Sequence, residues 1–282
     1  VEPMNEVELS ETVCRMAERF GRGGNPLQND TATCPPLEGG PKSLISRRGM
    51  NILVTGASKG IGNAIAKELQ SIGEVFVTGR NEQALTACNA KGFCVCDLSK
   101  DINTLAQYII DNKIDVLINN AGEYIYGGLE TLATTDIQRI FQTNLIAPAY
   151  LISKAIPYMK SQKWGRIINI GSISGVMGEA YASVYSSSKA GLIGLTKALA
   201  LELAEHEITV NTINPGWVET ELGTNSIEDS EFTKDEILQC IPQKRFVKPE
   251  EIAKLCKYLI SQDAKGITGQ SINLCAGLSV GI

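Results

Sequence analysis

Residues 51–62 read NILVTGASKGIG, an apolar run that ends in a threonine and is followed by three closely spaced glycines. Ile52, Leu53 and Val54 are typical of a buried β-strand, and a helical pattern begins at Gly60. Glycines between a strand and a helix permit a tight turn and let the backbone approach a phosphate at the helix amino end. The stretch therefore predicts a dinucleotide-binding βα unit, although turns and helix caps also use glycine freely.

Short β-rich runs alternate with helical patterns from Met50 onward, which favours a parallel sheet covered by helices on both faces. The predicted strands are Asn51 to Thr55, Glu74 to Thr78, Gly92 to Cys96, Val116 to Asn119, Arg166 to Gly171, Thr209 to Ile213 and Ser271 to Leu274. The predicted helices begin near Gly60, Asn81, Ile102, Thr135, Ser183 and Pro249, and the fourth is expected to reach Lys160. We therefore expect residues 50–282 to form one α/β domain, a doubly wound Rossmann-type fold of about seven parallel strands.

Residues 1–49 differ from the rest of the chain in composition, because glycines and prolines punctuate a segment with little apolar content. Leu9, Val13, Met16 and Phe20 recur at helical spacing, so a short helix is expected within an otherwise disordered extension. We interpret Met50 as the natural start and expect an enzyme that begins there to be active.

Composition and charge exclude several classes of protein. The 282 residues carry a net charge of −5 with scattered cations, so no basic stripe is available to bind nucleic acid. No apolar stretch is long enough to span a bilayer and the amino terminus does not resemble a secretion signal, so we expect no membrane association and a cytoplasmic location. The eight cysteines contain no CxxC pair, and His206 is the single histidine, so free thiols are expected and no metal site is predicted.

The end of the second predicted strand indicates which dinucleotide is bound. A carboxylate there would accept hydrogen bonds from the ribose diol of NAD, but the sequence places Arg80 at this point. Lys59 in the glycine loop adds a second cation, and the two together suit a 2′-phosphate dianion. We predict NADP(H) as the cofactor; the alternative is that both are ordinary solvated cations.

Tyr185 and Lys189 are four residues apart on a predicted helix, so their side chains project from one face. The ammonium is expected to lower the pKa of the phenol, which makes Tyr185 the predicted general acid/base for a carbonyl or alcohol substrate. Ser172 follows a predicted strand and is expected to polarise the substrate carbonyl at the carboxyl edge of the sheet. Taken singly, each of these residues also has a structural explanation, such as capping or packing.

The order of these motifs resembles the short-chain dehydrogenase/reductase family over nearly all of residues 50–282. The resemblance implies that Lys189 also holds the nicotinamide ribose, and that the backbone near Asn144 binds a water that links this lysine to solvent. It implies cofactor contacts from the glycine loop, the segment after each of the third and fourth strands, and a PGxxxT turn. Those residues are Gly56, Ser58, Lys59, Gly60, Ile61, Gly62, Asp97, Leu98, Asn119, Ala121, Gly122, Pro215, Gly216, Val218 and Thr220.

Residues 163–172 (KWGRIINIGS) and 208–211 (ITVN) resemble the bacterial 3-oxoacyl-acyl-carrier-protein reductases of that family, which implies a 3-oxoacyl thioester as one candidate substrate. The resemblance implies that two basic residues, Lys163 and His206, contact the acidic carrier protein. Glu205 and Glu207 flank His206 and weaken this docking surface, so a pathway-specific ketone reductase or alcohol dehydrogenase remains an alternative. A protein of another class, an NADP(H) sensor or scaffold without turnover, is a further alternative. Substrate contacts are expected from Ile173 to Tyr181 and from Glu219 to Phe246, which we interpret as a mobile lid.

Apolar residues cover more than one face of the helices predicted to begin at Thr135 and Ser183, including Leu192, Leu195, Leu199 and Leu203. Such faces are expected where subunits pack together, so a homo-oligomer is predicted. The family resemblance implies a homotetramer.

Overall fold

Seven parallel strands form one sheet in the residues that the computed structural model describes, which are 49–228 and 233–280. The strands are β1 (Asn51–Thr55), β2 (Glu74–Gly79), β3 (Gly92–Val95), β4 (Val116–Asn119), β5 (Gly165–Ile170), β6 (Ile208–Pro215) and β7 (Ser271–Leu274). Their order across the sheet is β3-β2-β1-β4-β5-β6-β7. The chain therefore reverses its direction of winding between β1 and β4, where a doubly wound fold binds its ligand.

Helices connect the strands and cover both faces of the sheet. They are α1 (Gly60–Leu69), α2 (Glu82–Thr86), α3 (Asn103–Asp111), α4 (Thr134–Phe141), α5 (Ala147–Gln162), α6 (Ser174–Met177), α7 (Ser183–Leu203), α8 (Glu221–Glu228), α9 (Lys234–Cys240) and α10 (Pro249–Ile260). A π-helical turn, Gln142–Ile146, joins α4 to α5. Short 3₁₀ turns occur at Leu129–Thr131, Ala204–His206, Gln262–Ala264 and Leu278–Val280.

Two apolar layers enclose the sheet, because successive side chains of a strand point to opposite faces. In β1, Ile52 and Val54 pack in the layer that contains α1 and α10, whereas Leu53 packs in the layer that contains α3, α5 and α7. All three side chains are completely buried. Burial on both faces explains why these strands are continuously apolar instead of alternating with polar residues.

The predicted α/β fold is confirmed, and the strand ends differ from the prediction by at most two residues. The predicted long fourth helix is interrupted by the π-helical turn and continues to Gln162. The sequence analysis did not predict α6, α8 and α9, which are short and lie within the segments interpreted as substrate-contacting loops. Thr233 caps α9 in a capping box with Glu236, a local signal that the prediction overlooked.

Apart from Gly49, the predicted extension over residues 1–49 lies outside the described residues. Six cysteines within the described part, at positions 88, 94, 96, 240, 256 and 275, are free thiols as predicted, while Cys14 and Cys34 fall outside it. The described helices include none long and apolar enough to span a membrane.

The leucines that suggested an oligomer pack inside their own chain. Leu192 and Leu203 are each 1% exposed, and Leu195 and Leu199 pack against the apolar layer that contains α3 and α5. These four leucines of α7 are therefore explained by packing within a single chain, without a second subunit. Leu201 on the same helix is different, because 86% of it is exposed.

Candidate active site

The glycine-rich loop joins β1 to α1 at the carboxyl edge of the sheet. Gly56 and Gly60 have positive φ angles of +65° and +55°, which other residues rarely adopt. A side chain at Gly56 would come within 2.8 Å of the Ala121 Cα, so this loop lies directly against the segment that follows β4. Asn120 Nδ2 donates to the carbonyl oxygens of Thr55 and Gly56, at 2.8 and 3.1 Å, and fixes the two segments together.

A cavity of about 840 Å³ opens along this edge of the sheet. Ser172, Tyr185 and Lys189 line it together with predicted cofactor residues, namely Gly56, Ser58, Lys59, Gly60, Ile61, Gly62, Arg80, Asp97, Leu98, Ala121, Gly122, Pro215, Gly216, Val218 and Thr220. Asn119 is not among the lining residues, since its Nδ2 donates to Asn169 Oδ1 at 2.8 Å inside the sheet, and Asn120 lines the cavity in its place. The glycine loop and the predicted catalytic side chains thus share one cavity.

The two predicted phosphate-binding cations lie in this cavity, and each is paired with a carboxylate. Lys59 Nζ is 2.8 Å from Glu221 Oε1, and Arg80 Nη1 is 3.2 Å from Glu123 Oε1. Arg139 holds the second oxygen of Glu123 at 2.7 Å. Because Lys59 and Arg80 have side-chain exposures of 64% and 67%, solvent screens these pairs and the cations are free to exchange partners.

Two further predicted segments border the cofactor end of the cavity. Asp97 Oδ1 accepts hydrogen bonds from the backbone and hydroxyl of Ser99, at 3.0 and 2.7 Å, so this carboxylate also stabilises its own turn. Thr220 lies against the glycine loop, since a side chain at Gly60 would come within 3.3 Å of the Thr220 methyl group. The PGxxxT turn and the glycine loop therefore face each other across a narrow space.

Tyr185 and Lys189 project from α7 toward the end of β5. Lys189 is only 4% exposed, and its Nζ donates to the Ile170 carbonyl oxygen at 2.9 Å. The same Nζ lies 5.7 Å from the centre of the Tyr185 ring. Ser172 lies in the loop that follows β5, and its hydroxyl lowers the pKa of the Tyr185 phenol. The structure therefore brings together three of the four residues predicted to be catalytic, and Asn144 is the fourth.

The electrostatic expectation for Tyr185 was wrong in direction. Burial raises the pKa of Tyr185 to about 12, the nearby Ser172 hydroxyl acts against this rise, and the carboxylate of Glu179 adds to it. Burial also lowers the pKa of Lys189 to about 8. Spacing on a helix predicted the proximity of the ammonium but not the burial of both groups, and burial is the largest cause of each shift. The phenol is therefore protonated at neutral pH, the form that can donate a proton.

Asn144 lies in the π-helical turn and is completely buried. Its Oδ1 accepts from the backbone N–H of Glu123 at 2.8 Å, while its Nδ2 donates to the Glu123 carbonyl oxygen at 2.9 Å and to Ser188 Oγ at 3.1 Å. A side chain at Gly122 would come within 3.2 Å of Lys189 Nζ and 3.3 Å of Asn144 Oδ1. Asn144 thus braces the loop after β4 beside Lys189 and does not itself line the cavity.

The sequence analysis did not identify a carboxylate beside the catalytic side chains. Glu179 accepts hydrogen bonds from Ser174 Oγ at 2.6 Å and from the Tyr124 hydroxyl at 2.8 Å. The Tyr124 ring packs edge-on against that of Tyr185, with ring centres 4.9 Å apart. Glu123, which directly follows Gly122 in the loop after β4, was also overlooked. Neither residue belongs to a periodic pattern, so no spacing in the sequence marked them.

Comparison with known proteins shows that this chain is similar to reductases. A family model described as enoyl-(acyl carrier protein) reductase matches residues 56–279. An uncharacterized oxidoreductase of Bacillus subtilis, YxjF, is 38% identical over 80% of this chain and 96% of its own length. The 3-oxoacyl-(acyl-carrier-protein) reductase FabG of Rickettsia bellii is 36% identical over 83% of this chain and 99% of its own length.

Solved structures of reductases are also similar to this chain. A variant of the actinorhodin polyketide ketoreductase, determined with NADPH, superposes with a TM-score of 0.77 at 34% identity and covers 82% of this chain and 98% of its own. YwfH, an NADPH-dependent reductase involved in bacilysin biosynthesis, superposes with a TM-score of 0.76 at 30% identity and the same coverage of both chains.

Proposed function

The chain belongs to the short-chain dehydrogenase/reductase family, and from this premise we propose that it is an NADPH-dependent reductase whose substrate is a 3-oxoacyl thioester. The relatives named as 3-oxoacyl reductase and polyketide ketoreductase support this substrate class. The observation that carries the proposal is the shared cavity, in which a protonated phenol and a serine hydroxyl lie beside a glycine loop.

The residues present fit an NADP(H) molecule. A side chain at Gly56 or Gly62 would clash with the neighbouring backbone, and α1 begins at the loop without a side-chain cap from Lys59. Both features suit a pyrophosphate at the helix amino end. Ser58 lies beside Gly79, so Ser58, Lys59 and Arg80 lie near the end of β2 and would hold the 2′-phosphate. When bound, NADPH supplies the hydride, and Lys189 would hold the nicotinamide ribose.

The side chains of the protein then supply the proton that the substrate oxygen requires. The Tyr185 phenol donates its proton to the substrate oxygen as negative charge develops there, and Ser172 donates a hydrogen bond to the same oxygen. To do so, Ser172 turns its hydroxyl away from Ser174 Oγ, to which it donates at 3.1 Å in this structure. Lys189 stabilises the phenolate that remains until Tyr185 regains a proton. The reverse sequence of proton movements accompanies alcohol oxidation.

A substrate panel with the full chain tests the proposed function. We expect consumption of NADPH with the N-acetylcysteamine thioester of 3-oxobutanoic acid, and much slower consumption with NADH. The measurement is the loss of NADPH absorbance under each carbonyl compound of the panel. Binding of NADPH without turnover of any carbonyl compound would instead support a sensor or scaffold protein.

A specific contact favours a second candidate, a ketone reductase whose substrate is not attached to a carrier protein. His206, one of the two basic residues expected to contact an acidic carrier, lies 3.3 Å from Glu205, on the same surface turn. This carboxylate weakens the attraction of the position for an acidic partner. Equal turnover of a carrier-bound thioester and its small-molecule analogue would favour this candidate.

We also propose that the protein is a homotetramer, as in the family that it belongs to. The exposed Leu201 on α7 and the half-exposed Ile146 beside α5 support an interface on these helices. Light scattering at micromolar concentration is expected to give about four times the chain mass of 30.4 kDa. A mass equal to that of one chain would contradict the proposal.

A cytoplasmic location is likewise a proposal. It is supported by the six free thiols of the described residues, since a reducing compartment keeps cysteines in this state.

A further inference from the structure

Glu179 lies between two loops at the substrate end of the cavity. It follows α6, and its two carboxylate oxygens accept hydrogen bonds from different segments, one from Ser174 and the other from Tyr124 in the loop after β4. Both donors are neutral hydroxyl groups, so they satisfy hydrogen bonds without cancelling the negative charge. Among the described residues, Glu179 forms no ion pair.

Most of the other charged groups that line the cavity are paired with an opposite charge. Lys59 pairs with Glu221, Arg80 and Arg139 pair with Glu123, and Glu236 is held by Thr233 in the capping box of α9. The cations Lys59 and Arg80 belong to the cofactor end, and Lys189 is buried against Ile170. Among the described residues that line the cavity, Lys59, Arg80, Arg139 and Lys189 all have other partners, and none of them pairs with Glu179.

Glu179 is close enough to the reacting atoms for its charge to act on a substrate. Two hydrogen bonds, of 2.6 and 3.1 Å, connect its carboxylate through Ser174 to the hydroxyl of Ser172. Tyr124, its other partner, packs against the Tyr185 ring. A carboxylate attached one carbon away from the reacting carbonyl would thus be placed near a like charge.

We propose that Glu179 determines substrate specificity: its negative charge excludes carbonyl compounds with a free carboxylate near the reacting carbon, and admits their uncharged esters and thioesters. The inference rests on the proposed reductase function and narrows its substrate class. Exclusion by an unfavourable charge is an efficient route to specificity, because juxtaposed like charges are costly where solvent screening is weak. Free 3-oxo acids are accordingly excluded as substrates.

The test compares 3-oxobutanoate with its methyl ester, which share the reacting ketone and differ in charge. In the wild-type protein, kcat/KM with NADPH is expected to be higher for the ester by at least about tenfold. Glu179→Gln keeps the size of the side chain and removes its charge, so the preference is expected to fall about tenfold through a gain in activity on the acid. Glu130→Gln, at an exposed glutamate outside the cavity, is the matched control and should keep the wild-type preference.

Binding measurements make the same comparison without turnover. Quenching of bound NADPH fluorescence reports the affinity of each compound for the wild-type and Glu179→Gln proteins, and the ester is expected to bind the wild type more tightly. Absence of turnover with a retained binding preference would refute the reductase function and support the charge filter. Equal kcat/KM for acid and ester in the wild type, or an unchanged preference in a folded Glu179→Gln protein that binds NADPH, would overturn the inference.

Discussion

Tyr185→Phe is expected to lower kcat for carbonyl reduction by about a hundred- to ten-thousandfold, the range that general acid catalysis contributes. The substitution removes the proton donor and leaves the aromatic ring, whose edge-on contact with Tyr124 at 4.9 Å preserves the local packing. The pKa of Tyr185 is raised to about 12, so the phenol that the substitution removes is protonated throughout the neutral range. Phenylalanine has no proton to donate at any pH, so a change of pH is not expected to restore activity. Steady-state kinetics with NADPH and the thioester substrate measure the effect.

NADPH binding by Tyr185→Phe should stay within about threefold of wild type, because the loss concerns the transition state more than the ground state. Tyr258→Phe is the matched control, since Tyr258 lies on α10, is 48% exposed and does not line the cavity. A Tyr185→Phe protein that retains most of its kcat would show that another group supplies the proton.

The double substitution Lys59→Ala/Arg80→Ala is expected to raise the KM for NADPH by about a hundredfold and to change the KM for NADH little. Each cation is expected to form a charge-assisted hydrogen bond to the 2′-phosphate. Solvent exposure weakens these bonds, and the removal of both is expected to lower the binding free energy of NADPH by about 3 kcal/mol. NADH has a hydroxyl group in place of this phosphate. The ratio of the two Michaelis constants therefore isolates the phosphate contact from general damage to the site.

A matched control for this variant is Lys91→Ala/Lys197→Ala, which removes two exposed cations outside the cavity. It keeps the same net charge as the test variant and should leave the cofactor preference unchanged. If the Lys59/Arg80 variant weakened NADPH and NADH equally, these residues would not recognise the 2′-phosphate, and the pairs with Glu221 and Glu123 would be their whole role.

The strands and the glycine loop were predictable because each depends on neighbours in sequence. The apolar run from Ile52 to Val54 and the glycines after it specify a buried strand and a tight turn through local rules. The four-residue spacing of Tyr185 and Lys189 likewise predicted that both project from one face of α7. The roles of these residues remain proposals, whereas the fold is confirmed.

Contacts between segments far apart in sequence could not be read from local patterns. The pKa of Tyr185 was predicted in the wrong direction because its burial depends on loops that follow β4 and β5. Leu192 and Leu203 were interpreted as interface residues, but they complete the core of their own chain against distant helices. A helical pattern shows which residues are apolar and leaves open which partner covers them.

Patterns among residues close together in the sequence were thus sufficient to predict the βα units, the dinucleotide loop and the set of polar residues that meet at one sheet edge. Tertiary packing decided the electrostatics of that edge: the burial of Lys189, the pairing of Arg80 with Glu123, and the position of Glu179 beside Ser174 and Tyr124. The physical reason is that backbone conformation follows from neighbouring residues, whereas desolvation and Coulomb interactions depend on every group within several ångströms, wherever it occurs in the chain.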